Sequence, residues 1–164
     1  MRFYNSFWRI KALPSAHVTT WKVIENRVAT KVDLERWGIQ IENNICSLCR
    51  LSEKSTNHLF FGCRVVWRVW NLCYDWLRLN SVDLIVPESH IEHFKFLDAP
   101  NSVNFIMDNI WIALNSEIWR HINNCLFKGG VIGHIKVFSL AQVKVWSWII
   151  LRYHQWVSRS LNGV

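Results

Sequence analysis

Three cysteines and a histidine within eighteen residues constrain this chain more than any other feature. They read Cys46-Ser-Leu-Cys49, then eight residues, then His58-Leu-Phe-Phe-Gly-Cys63, or C-x2-C-x8-H-x4-C. Two cysteines separated by two residues can offer adjacent corners of a tetrahedron from one tight turn. His58 and Cys63 can supply the other two, which is the donor set that Zn2+ prefers. Four protein ligands leave no open position for water, so a single zinc ion held there is structural rather than catalytic. Asn43, Asn44, Ser52, Ser55, Thr56 and Asn57 give the segment the polar, turn-forming flanks that such a knuckle requires. A redox CxxC is the competing reading, and Cys49 does not open a patterned helix within a βαβ unit as that reading needs. Zinc binding contributes ~10–16 kcal/mol in finger peptides near neutral pH. Domain stabilities are only ~5–15 kcal/mol, so loss of the ion is expected to unfold at least the surrounding half.

The remaining cysteines, Cys73 and Cys125, fall in apolar helical patterns and are expected to be buried core thiols. Five cysteines without an apolar leader segment argue against a disulfide framework and for an intracellular protein. His90 and His93 form an HxxH with no acidic or cysteine partner nearby and are expected at the surface. His17, His121, His134 and His154 are isolated and suggest no chemistry.

At 51% hydrophobic and 19% charged, the 164-residue chain can bury a core, and only 6 Gly and 3 Pro favour long helices over a turn-dense sandwich. The most apolar stretch, Val137 to Leu151, is interrupted by Gln142 and Lys144, so no membrane span is expected. Periodicity predicts a helix over His17–Arg27, from Val18, Trp21 and Ile24. A second short helix would be capped by Thr30 with Asp33 and ended by Gly38. Residues 63–79 form a strong amphipathic pattern. Val66, Trp70, Cys73 and Leu77 line one face, with Arg64, Arg68, Asp75 and Arg78 mostly opposite. Pro87 and Pro100 bracket a connector. Two long helices, Val103–Phe127 and Ile135–Trp156, then meet at Gly129, Gly130 and Gly133. The expected fold is mainly α: short helices around a zinc knuckle, followed by a long helical hairpin. The division expected is a zinc-binding helical domain over 1–82 and a Trp-rich helical tail over 83–164 packed on it.

Charge follows the same division. Residues 1–82 carry twelve Lys/Arg against six Asp/Glu, whereas residues 83–164 carry seven against six. A basic half suggests an anionic partner, most simply RNA or single-stranded DNA. The equally weighted alternative is that surplus cations only keep a Trp-rich chain in solution. Arg27, Lys31, Arg36, Arg50, Lys54, Arg64 and Arg68 surround the metal segment as candidate contacts, and Phe60 or Phe61 could stack on a base if exposed.

The same residues resemble a family. Trp21, Asn26-Arg27-Val28-Ala29-Thr30-Lys31, Leu34 with Arg36-Trp37-Gly38-Ile39, the CxxC, Glu53, His58-Leu59-Phe60-Phe61-Gly62-Cys63 and Val69-Trp70 are similar to the zinc-binding domain of plant non-LTR retroelements, where it lies C-terminal to the reverse transcriptase. The resemblance covers about residues 3–80. It continues more weakly through Ile110-Trp111, Ile118-Trp119-Arg120, Asn124 and Phe127. It implies an accessory domain detached from its polymerase, with that polymerase and nucleic acid as partners and the nucleus as one intracellular location. Two departures from the pattern are Ala16, where Lys or Asn is usual, and Lys54, at a usually acidic position beside Glu53.

No Asp-Asp pair, G-x-x-x-x-G-K, G-x-S-x-G or H-E-x-x-H occurs, so an enzyme is not expected. A protein-interaction scaffold built on the Trp-rich helices and a functionless element remnant are the alternative readings.

Overall fold

The computed structural model describes residues 12–29, 35, 37, 38, 40, 45, 46, 48–96, 98–131 and 133–162, the last segment without side chains at 156, 157 and 159–162. Helix α1 spans Pro14–Ile24. It begins earlier than the apolar period alone suggested because Pro14 occupies its first turn, where the missing N–H is harmless. Its end is a Schellman motif. Asn26 takes the left-handed conformation (φ 51). The Arg27 N–H then bonds the Lys22 carbonyl at 2.7 Å, and the Asn26 N–H bonds that of Val23 at 3.2 Å. The capping pair expected at Thr30 and Asp33 lies outside the described residues. Gly38, expected to end that helix, adopts φ 85, and its N–H reaches the Glu35 carbonyl at 2.9 Å.

After the metal segment come α2 (Arg64–Leu77), α3 (Pro87–His93), α4 (Asn101–Lys128) and α5 (His134–Asn162). No strand forms among the described residues, and Ile45 and Glu53 make a single antiparallel bridge. The fold is mainly α, and the last two helices form the expected hairpin, closed by Gly129 in the left-handed region (φ 68). The stretch between the prolines is not a bare connector. Pro87 starts α3, and both Asn104 side-chain groups tie the Phe96 backbone back to α4 at 3.0 Å.

Helix α4 is the centre of the molecule. Residues 107–115 are buried all round, because α1 and α5 pack against it and the metal-site turn touches it as well. A helix enclosed this way cannot be amphipathic, and its polar residues need internal partners. Asn109 and Asn115 donate back to the carbonyls one turn earlier, at 2.7 and 2.9 Å. Asp108 pairs with Lys95 at 2.9 Å. The fully buried Glu117 accepts from Arg120 at 2.6 Å, pairs with Lys144 across the hairpin, and lies 3.7 Å from His121. His121, isolated in the sequence, is therefore buried beside Glu117, with Nδ1 2.9 Å from the Glu117 carbonyl.

His90 is the largest correction to the surface expectation. It is buried, and both ring nitrogens are used: the Trp111 indole N–H donates to Nδ1 at 3.0 Å, and Nε2 meets the Tyr74 hydroxyl at 3.0 Å. Because Trp111 can only donate, the proton of the neutral imidazole sits on Nε2 and points to Tyr74. Burial, with the neighbouring His93 adding to it, holds the imidazole at about 3, so it is neutral at ordinary pH. The HxxH spacing by itself points only to a metal ligand or an acidic partner. The partners are instead an indole and a phenol brought in from two other helices.

Candidate metal centre

The metal segment is assembled from two local pieces. In the first, the bridge between Ile45 and Glu53 folds the chain back, with the Cys46 N–H bonding the Ser52 carbonyl at 2.7 Å. The Arg50 N–H bonds the Cys46 carbonyl at 2.8 Å, and Arg50 itself takes a left-handed conformation (φ 57) to close the turn. Such a conformation costs about 1 kcal/mol for a residue with a Cβ, and here it holds both cysteines on the inside of the bend. In the second piece, Ser55 accepts from the His58 N–H at 3.2 Å and starts a helical turn that widens into a π-turn over His58–Gly62. The Cys63 N–H closes it onto the His58 carbonyl at 2.6 Å, five residues back. That wide turn aligns His58 and Cys63, and Cys63 is also the N-cap of α2.

Together the pieces bring Cys46 Sγ, Cys49 Sγ, His58 and Cys63 Sγ within 4.8 Å of one another. Cys46 Sγ and Cys63 Sγ are 4.0 Å apart, and Cys49 Sγ and His58 Nε2 are 3.2 Å apart. With a Zn–S bond of ~2.3 Å, the edges of a tetrahedral site are ~3.7 Å, so the set fits one ion. The three cysteines are buried and His58 is half-buried. The Cys46–Cys63 contact holds Cys46 well below the usual thiol range, while that contact and burial push Cys63 up. A cation held between them would favour the deprotonated form of both thiols.

Residues 1–70 match the family model described as zinc-binding in reverse transcriptase. The match contains all four ligands and ends inside α2. No curated protein and no solved structure matches the chain. In this zinc-binding segment, Cys46, Cys49, His58 and Cys63 would hold one zinc ion, which would cross-link the two local pieces and leave no room for a reacting water.

The remaining candidate residues scatter. Arg27, Arg50, Arg64 and Arg68 are exposed, with the Arg27 guanidinium 5.6 Å above the Trp21 ring. Lys54 is buried (3% exposed) and does not stand on the surface with them. Lys31 and Arg36 lie outside the described residues. Phe60 and Phe61 are not available to a base either. Phe60 is fully buried against Trp119, and Phe61 is stacked against Trp70 and Trp111. Their place in a helical turn with an apolar Leu59 beside them was a signal of burial that the motif overshadowed.

The turn is also fastened to the core. The Trp70 indole N–H donates to the Phe60 carbonyl at 2.8 Å, so α2 holds the backbone that positions two ligands. Cys73, one turn further along, is fully buried, and burial pushes its thiol up. Cys125 is half-buried, with its thiol raised for the same reason. Neither reaches the metal set.

Proposed function

We propose that the protein is a non-catalytic, zinc-stabilised accessory module of the reverse-transcriptase kind, which binds single-stranded nucleic acid on the outer face of α2. One observation carries this reading. The helix that begins at the ligand Cys63 turns Arg64, Trp67 and Arg68 away from the core, with Asn71 half-buried, Arg78 exposed at the C-cap and Asp75 the lone acidic residue among them. Trp67 is 41% exposed and flanks the Arg64 and Arg68 pair, which are one helical turn apart. Cations track a phosphate backbone, and an indole beside them offers a base a face to stack on. Trp67 therefore takes the stacking role for which Phe60 and Phe61 are too deeply buried. Arg27 and Arg50 add exposed charge on the elements leading to this helix. An accessory role beside a polymerase domain is consistent with the family description of residues 1–70.

Fluorescence anisotropy with labelled single-stranded RNA and DNA tests the proposal. Binding should weaken steeply between 50 and 200 mM salt. Removing two phosphate contacts by Arg64→Glu with Arg68→Glu should lower the salt slope by about 1.4. Trp67→Ala should weaken binding by roughly 5- to 150-fold without changing the circular dichroism spectrum, the range expected for one lost stacking contact. A full-length chain that binds neither polymer at low salt refutes the reading.

A further inference from the structure

A groove of about 420 Å3 opens where the first turns of α4 lie against residues 149–153 of α5, within the ~300–1,000 Å3 range of small-molecule sites. Phe105, Ile106 and Ile149 give it an apolar wall, and Arg152, Ser102 and Tyr153 stand at its rim. The Arg152 guanidinium lies 3.8 Å above the Phe105 ring. Stacking fixes the guanidinium in place, and among the described residues nothing accepts a hydrogen bond from it, so its fork of N–H donors stays available.

Nothing on the chain neutralises this rim. No lining residue is acidic, and residues 118–164 hold six Lys/Arg and no Asp/Glu. The acids of the neighbouring core are engaged elsewhere, Asp108 by Lys95 and Glu117 by Arg120 and Lys144. Asp98, close by in sequence, is exposed and bonds none of these groups. The start of α4 adds to the demand for an anion. Its N-cap is Pro100, its first turn contains no acidic residue, and the Asn101 and Ser102 N–H groups have no acceptor among the described residues.

We propose that this groove holds one nucleotide, with the phosphate between Arg152 and Ser102 and the base against the apolar wall. The choice of a nucleotide rests on the nucleic-acid reading above, and the groove adds to it a second contact on another face of the molecule. Charge selects the phosphate, because a stacked guanidinium presents its N–H donors to phosphate oxygens two at a time. Shape selects the flat ring. The groove is open on one side, with the exposed Tyr153 ring at its rim. A base needs only one apolar wall and an aromatic face to stack on, whereas an acyl chain is apolar all round and needs an enclosed channel.

Titration of the 15N-labelled full chain with adenosine 5′-monophosphate (AMP), followed by amide NMR, provides the test. The Asn101 and Ser102 amides should shift saturably below about 10 mM AMP. Adenosine or inorganic phosphate alone should bind roughly tenfold more weakly, since each lacks one half of the contact. Arg152→Gln should weaken AMP binding about 10- to 150-fold, the loss expected for a charge-assisted contact. Ser102→Glu gives the helix an anion of its own, so it should abolish AMP binding while the Tm holds or rises. The absence of a saturable shift overturns the proposal, as do shifts confined to α2 or AMP binding unchanged in Arg152→Gln. Inorganic phosphate binding as tightly as AMP, an adventitious ion only, overturns it too, and tighter binding of hexanoate would assign the groove to aliphatic acids. The two readings fail separately. A chain that binds AMP here but neither polymer loses the α2 face alone, and one that binds the polymers but not AMP loses the groove alone.

Discussion

Replacing Trp70 with Phe separates the metal centre's dependence on the core from its dependence on the ligands. The substitution keeps an aromatic ring against Phe61, His90 and Phe94, but deletes the indole N–H that bonds the Phe60 carbonyl at 2.8 Å. Two terms follow. A buried carbonyl left without this donor costs about 1–3 kcal/mol. The indole also exceeds the phenyl ring by ~40 Å3, which at ~24 cal/mol per Å3 of unrelaxed cavity adds about 1 kcal/mol. A total of ~2–4 kcal/mol corresponds, for a chain of this size, to a fall in Tm of about 5–15 °C. Because the freed carbonyl lies in the π-turn between His58 and Cys63, part of that loss should appear as weaker zinc binding. Thermal melts followed by far-ultraviolet circular dichroism give the first quantity, and competition against a chromophoric chelator gives the second. The coupling between core and metal site fails if Trp70→Phe melts within 2 °C of the parent chain, or if it melts early with unchanged zinc affinity.

Two further outcomes follow from the site and the core. The purified chain should carry one zinc ion by native mass spectrometry, and a strong chelator should remove it with loss of most helical signal, since the ion's ~10–16 kcal/mol equals or exceeds a typical domain stability; full helicity after complete zinc removal contradicts this. His90 should make the protein acid-sensitive. The folded imidazole is held at about 3 while the unfolded one takes its proton near 6.5, so below pH 6.5 the unfolded chain binds a proton that the folded chain refuses. Stability contributed by the neutral form is complete above that pH and is lost as the pH falls toward 3, by ~1.4 kcal/mol per pH unit. Asp108, whose carboxyl burial pushes up, works in the opposite sense and is the same in the parent and in a His90 variant. Urea unfolding at pH 7, 6 and 5 should therefore show a shallower acid loss in His90→Gln than in the parent chain, and parallel profiles would count against the buried neutral imidazole.

Most of the metal centre was legible in the residues because zinc chemistry is local. C-x2-C and H-x4-C each fall within a few residues, so short-range turns bring their atoms together almost irrespective of the rest of the chain. Helix α2 was legible for a similar reason: its buried positions (Val66, Trp70 and Cys73) follow one helical stripe. Helix α4 was located correctly, but its role was not. A helix buried on every side has no stripe, and its buried Asn109, Asn115 and Glu117 look from the sequence like solvent-facing residues. The surface cations were legible only as a group. Lys54 is buried despite its charge, and nothing in its neighbours announces that.

What the sequence determined by itself was the donor set, the helical content and the basic bias of the first half, because each depends on composition or on spacing of a few residues. Tertiary structure alone decided which aromatics are available. Trp70, Trp111, Phe60 and Phe61 are enclosed where α2, α4 and the metal-site turn converge, while Trp67 and Trp146 face water. It also turned His90 from a bland surface residue into the neutral centre of a hydrogen-bonded group with Tyr74 and Trp111. Those partners lie 16 and 21 residues away along the chain, and only the packing of three helices brings them within bonding distance. A short-range pattern cannot record such a meeting, because the burial that sets the histidine's charge exists only once the helices have assembled.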